Sequence, residues 1–177
     1  MLRVRVPVPL SVEQTRARTG TKAHQCEHIR GAVKTRTENI TFRVLGVKED
    51  VYGISPVGIL IYTGDGFMSA TITSTHPQDT PAALSFPPQA DQSDHDWATV
   101  AKHSISYAGP FVINDQMSAT ETSGQVFHGP FTVANVPSSI GTKQARNYTL
   151  YENGRLLFIT SKRGDGSVGQ LWWVRST

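Results

Sequence analysis

The stretch PVGILIYTGDGFMSA, residues 56–70, is the part of the sequence that decides how the chain folds. It consists of two apolar runs joined by the Gly-Asp-Gly tripeptide of residues 64–66. Glycine adopts the positive φ values that tight turns need, and an aspartate side chain can bond the nearby backbone. We therefore predict two strands, residues 57–63 and 67–75, with Asp65 as a turn residue rather than a catalytic acid.

Short strands with turn signals between them continue along most of the chain. Their spacing of about 8–12 residues is typical of an all-β sandwich or barrel. The predicted strands are residues 31–38, 40–47, 57–63, 67–75, 105–115, 124–135, 145–152, 155–161 and 168–175.

One helix is predicted near the middle of the chain. Ser93 is a suitable N-cap residue, and Asp94 and Asp96 favour the first turn, where they complement the helix dipole. One face of this helix would carry Trp97, Val100, Ala101 and Ser104. The Pro-rich segment before it, residues 76–92, is expected to form a long loop over one end of the barrel.

The segment YENGRL, residues 151–156, predicts a hairpin and fixes its register. Asn153-Gly154 is a preferred pair for the two-residue type I′ turn. Pairing outward from this turn puts three pairs on one face: Glu152 with Arg155, Leu150 with Leu157, and Tyr148 with Ile159. The same face reaches Arg146, and a guanidinium on an apolar face needs either a buried carboxylate or a ligand oxygen as partner.

Charge and hydropathy exclude several classes of function. Residues 1–50 hold ten Lys or Arg against five Asp or Glu, whereas residues 51–177 hold seven against nine. The basic charge therefore belongs to the leading segment and not to the folded body, so we expect no nucleic-acid partner. The longest apolar runs are much shorter than the roughly 20 residues of a membrane span, so we expect no membrane partner.

The cysteine content and the first residues of the sequence indicate the cellular compartment. Cys26 is the one cysteine, so an internal disulfide is excluded. No apolar signal-type segment follows the first residues. We expect an intracellular, cytoplasmic protein in which the sequons at Asn39 and Asn147 stay unmodified.

The first residues differ in character from the rest. Residues 1–27 show no sustained hydrophobic period, and Pro7 and Pro9 interrupt any helix or strand. We interpret residues 1–29 as a disordered or loosely attached basic arm. A mitochondrial transit peptide is the alternative, which Pro-Val-Pro disfavours because such a peptide needs an amphipathic helix. Residues 30–177 are then one barrel domain.

Three spaced segments carry a resemblance to a known family. Residues 56–70 agree with the pattern Gly-x-x-x-Tyr-Thr-x-Asp-Gly-Tyr-Met-Ser-Ala, SYAGPFVIND (106–115) with a Tyr-x-Gly strand, and residues 124–150 with Val-x-His, Pro-x-x-x-Gly and an Arg before an aromatic. These motifs resemble the lipocalin-like domain family, small fungal and bacterial proteins of secondary metabolism. Phe67 replaces the family's usual Tyr, and residues 30–38 lack the Trp of its first strand.

The resemblance implies an up-and-down antiparallel β-barrel of about eight strands with one side helix, which has room for about one small ligand. It also implies a function, since fungal lipocalin-like proteins include cofactor-free cyclases and isomerases of polyketide or terpenoid pathways. The alternative is a non-catalytic carrier of an apolar metabolite, and a homodimer is compatible with either.

Arg146, His128 and Tyr107 are the candidate catalytic residues. Arg146 would stabilise an oxygen that gains negative charge, with Tyr or His donors beside it. His128 would move a proton, and Gly129-Pro130 suggests a bulge that re-aims its side chain. Of the adjacent Trp172 and Trp173, one should face inward. The candidate ligand-binding residues are Tyr62, Met68, Phe111, Phe131, Tyr148, Leu157 and Trp173.

Other chemistries lack their motifs. The sequence has no Cys-x-x-Cys, no Gly-x-x-x-x-Gly-Lys and no Gly-x-Ser-x-Gly. Its one His-x-x-x-His pair, His24 and His28, lies in the leading basic segment. Gly164-Asp165-Gly166 is interpreted as another turn, since a predicted strand and not a helix follows the glycines of residues 164–169. We therefore expect no metal, no cofactor and no hydrolase activity.

Overall fold

Nine strands and one α-helix make up the part of the chain that the computed structural model describes, residues 40–47, 50–53, 55–162, 164 and 166–176. They are β1 (Ile40–Val47), β2 (Val57–Tyr62), β3 (Phe67–Thr73), α1 (Asp94–Lys102), β4 (Ser104–Ile113), β5 (Ser123–His128), β6 (Val133–Ala134), β7 (Gln144–Tyr151), β8 (Leu156–Lys162) and β9 (Val168–Arg175). No helix among these residues is long and apolar enough to cross a membrane.

The strands form an up-and-down barrel. Antiparallel pairing runs from β1 through β2, β3, β4, β5, β7 and β8 to β9, and β9 pairs back with β1. The two-residue β6 pairs with β4 beyond the end of β5. The predicted all-β barrel with one side helix is confirmed.

Most predicted elements are present in the part of the chain that the structure describes, with differences at β5–β6 and at the end of the helix. The predicted strand over residues 31–38 lies outside the described residues. The single strand predicted for residues 124–135 is divided into β5 and β6. The helix is capped by Ser93, whose Oγ accepts a hydrogen bond from the Asp96 amide at 3.1 Å, but Ser104 begins β4 instead of lying on the helix.

The break between β5 and β6 is the predicted bulge. On β4, Phe111 pairs with His128 and Ala108 pairs with Val133, so four residues on one strand face two on the other. Gly129 has a φ of +98°, which favours glycine. The bulge turns both His128 and Phe131 into the interior, where each is almost completely buried.

The two turns that the sequence singled out have the expected roles. Asn153 (φ +53°, ψ +39°) and Gly154 (φ +83°) have the left-handed φ values of a type I′ turn, and the predicted pairs of Tyr148 with Ile159 and Leu150 with Leu157 are confirmed. The last ladder pair is Tyr151 with Leu156, so the predicted pairing of Glu152 with Arg155 is not part of the ladder, and Glu152 (φ +51°) is left-handed as well. In the β2–β3 turn, Gly66 has a φ of +95°. Asp65 is exposed there and accepts a hydrogen bond from the Thr63 hydroxyl, as expected for a turn residue.

Strand alternation places the hydrophobic core inside the barrel. In β3, for example, Met68, Ala70 and Ile72 are buried, whereas Phe67 before them and Thr71 between Ala70 and Ile72 are exposed. The buried hydrophobic residues are Tyr52, Leu60, Tyr62, Met68, Ala70, Ile72, Val126, Phe131, Tyr148, Leu157, Ile159 and Trp173.

A small hydrogen-bond network ties the long β3–α1 loop to one end of the barrel. The Ser74 hydroxyl donates to an Asp79 carboxylate oxygen at 2.7 Å, and the His103 Nδ1 donates to the Val51 carbonyl at 2.7 Å. The His103 Nε2 lies 3.5 Å from the other oxygen of Asp79. These contacts hold the loop, the C-terminal end of α1 and the β1–β2 connection together.

Candidate functional site

A cavity of about 570 Å³ lies at the end of the barrel where β8 turns into β9. The inward positions at this end are small, since Ser161 of β8 pairs with Gly169 of β9, and small side chains leave space unfilled. Its inner wall is formed by Tyr52, Ile72, Ile105, Tyr107, Arg146, Ser161 and Leu171. It reaches the surface beside Gln125, Lys143, Gln144, Ala145, Asn147, Lys162 and Gly164. The volume lies within the range of about 300–1,000 Å³ found for small-molecule sites.

Arg146 is the cation of the inner wall. On β7 it lies between the exposed residues Ala145 and Asn147 and opposite the buried Val126, so its side chain is on the inner face of the barrel. The guanidinium donates to the Ala145 carbonyl at 3.0 Å and to the Gln144 side-chain oxygen. No carboxylate of the described residues forms an ion pair with it, so its partners there are neutral oxygens.

Tyr107 connects the cavity to the packed interior. It lines the cavity from β4, and its ring lies 4.6 Å from the Phe131 ring, centroid to centroid. The same tyrosine ring is 6.4 Å from the imidazole of His128. Two of the three candidate catalytic residues, Arg146 and Tyr107, therefore line the cavity, and the third lies behind Tyr107.

His128 and Tyr62 form a buried polar pair. The Tyr62 hydroxyl and the His128 Nε2 lie 2.7 Å apart and share a hydrogen bond. The Nδ1 of the same imidazole is buried and has no hydrogen-bond partner among the described residues. The Tyr62 ring also packs edge-on against Phe111, with centroids 4.8 Å apart. Neither Tyr62 nor His128 is among the described residues that line the cavity.

Electrostatics keep this pair neutral near pH 7. Burial, and then the nearby Arg146 guanidinium, lower the pKa of His128 from 6.5 to about 3. Burial, and to a lesser degree the neighbouring Tyr107, raise the pKa of Tyr62 above its ordinary value. A histidine with so low a pKa is a weak general base at neutral pH. The arrangement therefore favours Arg146 and Tyr107 over His128 as the groups that act on a ligand.

The other predicted ligand-binding residues form the packed half of the barrel. Trp173 is buried while Trp172 is partly exposed, as expected for adjacent strand residues. The set of Tyr62, Met68, Phe111, Phe131, Tyr148, Leu157 and Trp173 lies inside the barrel but outside the cavity lining. The cavity is instead lined by inward-facing residues further along the same strands, such as Arg146, two positions before Tyr148, and Leu171, two positions before Trp173.

Several residues that line the cavity were not among the predicted site residues. For some of them the sequence contains a pattern that points inward, and for one it does not. Ile72 follows Met68 and Ala70 at period two, and Leu171 precedes Trp173 by two residues, so strand alternation points both inward. Ser161 is opposite Arg146 when the hairpin register is extended. Tyr52 lies in a short 3₁₀ turn that has no periodic pattern. No cluster of metal-ligating side chains occurs among the described residues.

Fold and cavity together define the class of small up-and-down β-barrels with an interior cavity of the size of a small molecule. The lipocalin-like domain family matches residues 44–176, and the chain belongs to this family. The family's fold suggests the binding of a small hydrophobic ligand. No curated protein and no solved structure matches the chain.

The lowered pKa of His128 predicts a loss of stability in mild acid. Below pH 6.5 the unfolded chain takes up a proton that folded His128 does not, so stability falls with pH down to about 3, by up to about 1.4 kcal/mol per unit. Urea unfolding at pH 7 and pH 5 should show wild type losing about 2 kcal/mol more than His128→Gln.

The exposed His95 supplies the control for this experiment. His95→Gln should keep the full pH dependence of wild type, because this side chain lies on the solvent side of α1. Equal losses for wild type and His128→Gln would show that His128 is as easily protonated in the folded protein as in the unfolded chain.

Proposed function

We propose that this protein binds an apolar small molecule in the barrel cavity and anchors a polar end of it at Arg146. The observation that carries the proposal is the pairing of an apolar part of the wall, formed by Ile72, Ile105 and Leu171, with one inner guanidinium that has only neutral oxygen partners among the described residues. An electron-rich oxygen of the ligand would stabilise a cation in a partly apolar site, and the transfer of apolar ligand surface out of water favours binding.

Binding to the lumen can be tested by filling it. Leu171 lines the cavity from β9, and Leu171→Trp would occupy part of the space. Val112→Trp adds the same ring on the outer face of β4, where the wild-type side chain is exposed, and serves as the matched control. With the neutral dye Nile red, wild type and Val112→Trp should bind one equivalent, while Leu171→Trp should bind at least tenfold more weakly.

Thermal unfolding of both variants shows whether the added ring is tolerated. Unchanged dye affinity in a folded Leu171→Trp variant would place the binding site outside the lumen and contradict the proposal. The outer aromatic group of Tyr151, Phe158 and Trp172 is the surface that would then bind the dye.

A second candidate function is the cofactor-free isomerisation or cyclisation of a polyketide- or terpenoid-type molecule in the same cavity. It is favoured by the concentration of polar groups at one place, with Arg146 and Tyr107 on the wall and the Tyr62–His128 pair behind Tyr107. A carrier needs apolar walls and one anchor, and gains nothing from a buried imidazole with an unpartnered nitrogen.

The chemistry available for catalysis is electrostatic and conformational. A confined apolar cavity restricts a flexible chain to few conformers, which lowers the entropic barrier to ring closure. The donors of Arg146 and Tyr107 would stabilise an oxygen that gains negative charge during isomerisation. His128 is neutral and weakly basic, so it would not hold an extra proton before the reaction. Any proton transfer through it would have to occur together with the formation of charge on the ligand.

Product analysis separates the two functions. Incubation of wild type with unsaturated polyketide- and terpenoid-type carbonyl compounds, followed by chromatography and mass spectrometry, should give a product of unchanged mass and new retention time. Tyr107→Phe should slow this conversion at least tenfold while changing affinity by less than threefold. Recovery of bound but unaltered compound in every case would leave the carrier function and exclude catalysis on these substrates.

A further inference from the structure

We propose that the ligand of this cavity is an apolar carboxylic acid, bound as its carboxylate with the guanidinium of Arg146. The inference rests on the proposed binding function and adds the chemical class of the ligand.

The charged residues that line the cavity in the described part of the chain all have one sign. Among the described residues that line it, Lys143, Arg146 and Lys162 are cationic, and there is no Asp or Glu. A site lined in this way attracts anions and disfavours cationic ligands. A neutral apolar ligand would leave the inner cation without a charged partner.

Arg146 is distinguished from the two lysines by its position. Lys143 is exposed, and its Nζ lies 4.3 Å from the centroid of the Phe127 ring in a cation–π contact. Lys162 is exposed at the end of β8. Arg146 is partly buried on the inner face, and its positive charge contributes to the lowered pKa of His128. Its field therefore extends into the barrel interior.

The donor geometry of the guanidinium suits a carboxylate. A guanidinium carries five N–H donors in a planar fork that matches two carboxylate oxygens. Two of these donors are used by the Ala145 carbonyl and the Gln144 amide oxygen, and the other three have no partner among the residues that the structure describes. Tyr107 brings a hydroxyl to the same cavity.

The number of inner cations points to a monoanion. One partly buried arginine can balance one negative charge inside the cavity, whereas the exposed Lys143 and Lys162 could balance a second charge only at its surface. The apolar wall of Ile72, Ile105 and Leu171 suits a hydrocarbon body. An apolar monocarboxylate meets both requirements.

The experiment compares two fluorescent probes with the same hydrocarbon chain, cis-parinaric acid and cis-parinaryl alcohol, at pH 7.4. Wild type should bind the acid at least tenfold more tightly than the alcohol, a difference of about 1.4 kcal/mol. In Arg146→Met, affinity for the acid should fall at least tenfold and the preference for the acid should disappear, because the alcohol loses only a neutral hydrogen bond with the guanidinium.

Two further variants make the result specific. Arg155→Met removes an exposed arginine that pairs with Glu152 at the hairpin turn, and it should keep the full preference for the acid. Arg146→Lys retains the charge without the fork and should keep only part of the preference. Binding of one equivalent of the alcohol shows that the cavity of each variant is intact.

The outcomes separate this inference from the proposed function. Equal affinity of wild type for acid and alcohol would overturn the carboxylate and leave the binding function standing. A preference for the acid that survives in Arg146→Met would also overturn it, because the anchor would then be another cation. Binding of neither probe to wild type would contradict both proposals.

Discussion

The antiparallel pairing of β1 with β9 is the constraint on which the rest of the barrel depends, because it joins the first described strand to the last and removes two open sheet edges. In a closed ring each strand has one inner and one outer face, and register alone decides which side chains reach the lumen. A slip of one residue on β7 would exchange Arg146 for Asn147. The type I′ turn at Asn153-Gly154 fixes the register that keeps the arginine inside.

The interior is divided into a packed half and an open half. Large side chains such as Tyr148, Leu157 and Trp173 fill the first, and the small pair of Ser161 and Gly169 leaves room in the second. The polar groups lie at or near the boundary between the two halves, where burial changes their chemistry. His128 is neutral there, so the Arg146 guanidinium is the cation on the described inner wall of the cavity.

Much of this architecture could be predicted from local patterns in the sequence. The bounds of β1 and β9 were predicted to the residue, because alternation and turn signals are short-range, and the Asn153-Gly154 turn placed Arg146 on the inner face. The hydrogen bond between Tyr62 and His128 joins residues 66 positions apart and has no local signal. The position of the cavity depends on where small side chains face each other inside the barrel. The pairing of Ser161 on β8 with Gly169 on β9 shows this position, and the sequence alone does not.

The central claim is that the ligand binds inside the barrel at its open end. The most direct test is photolabelling with a long-chain alcohol that carries a diazirine, followed by peptide mass spectrometry to locate the modified residues. The structure predicts labels on the cavity wall, at Tyr52, Ile105 or Leu171, and their loss when unlabelled alcohol competes. Labels confined to the outer aromatic group of Tyr151, Phe158 and Trp172 would contradict the claim.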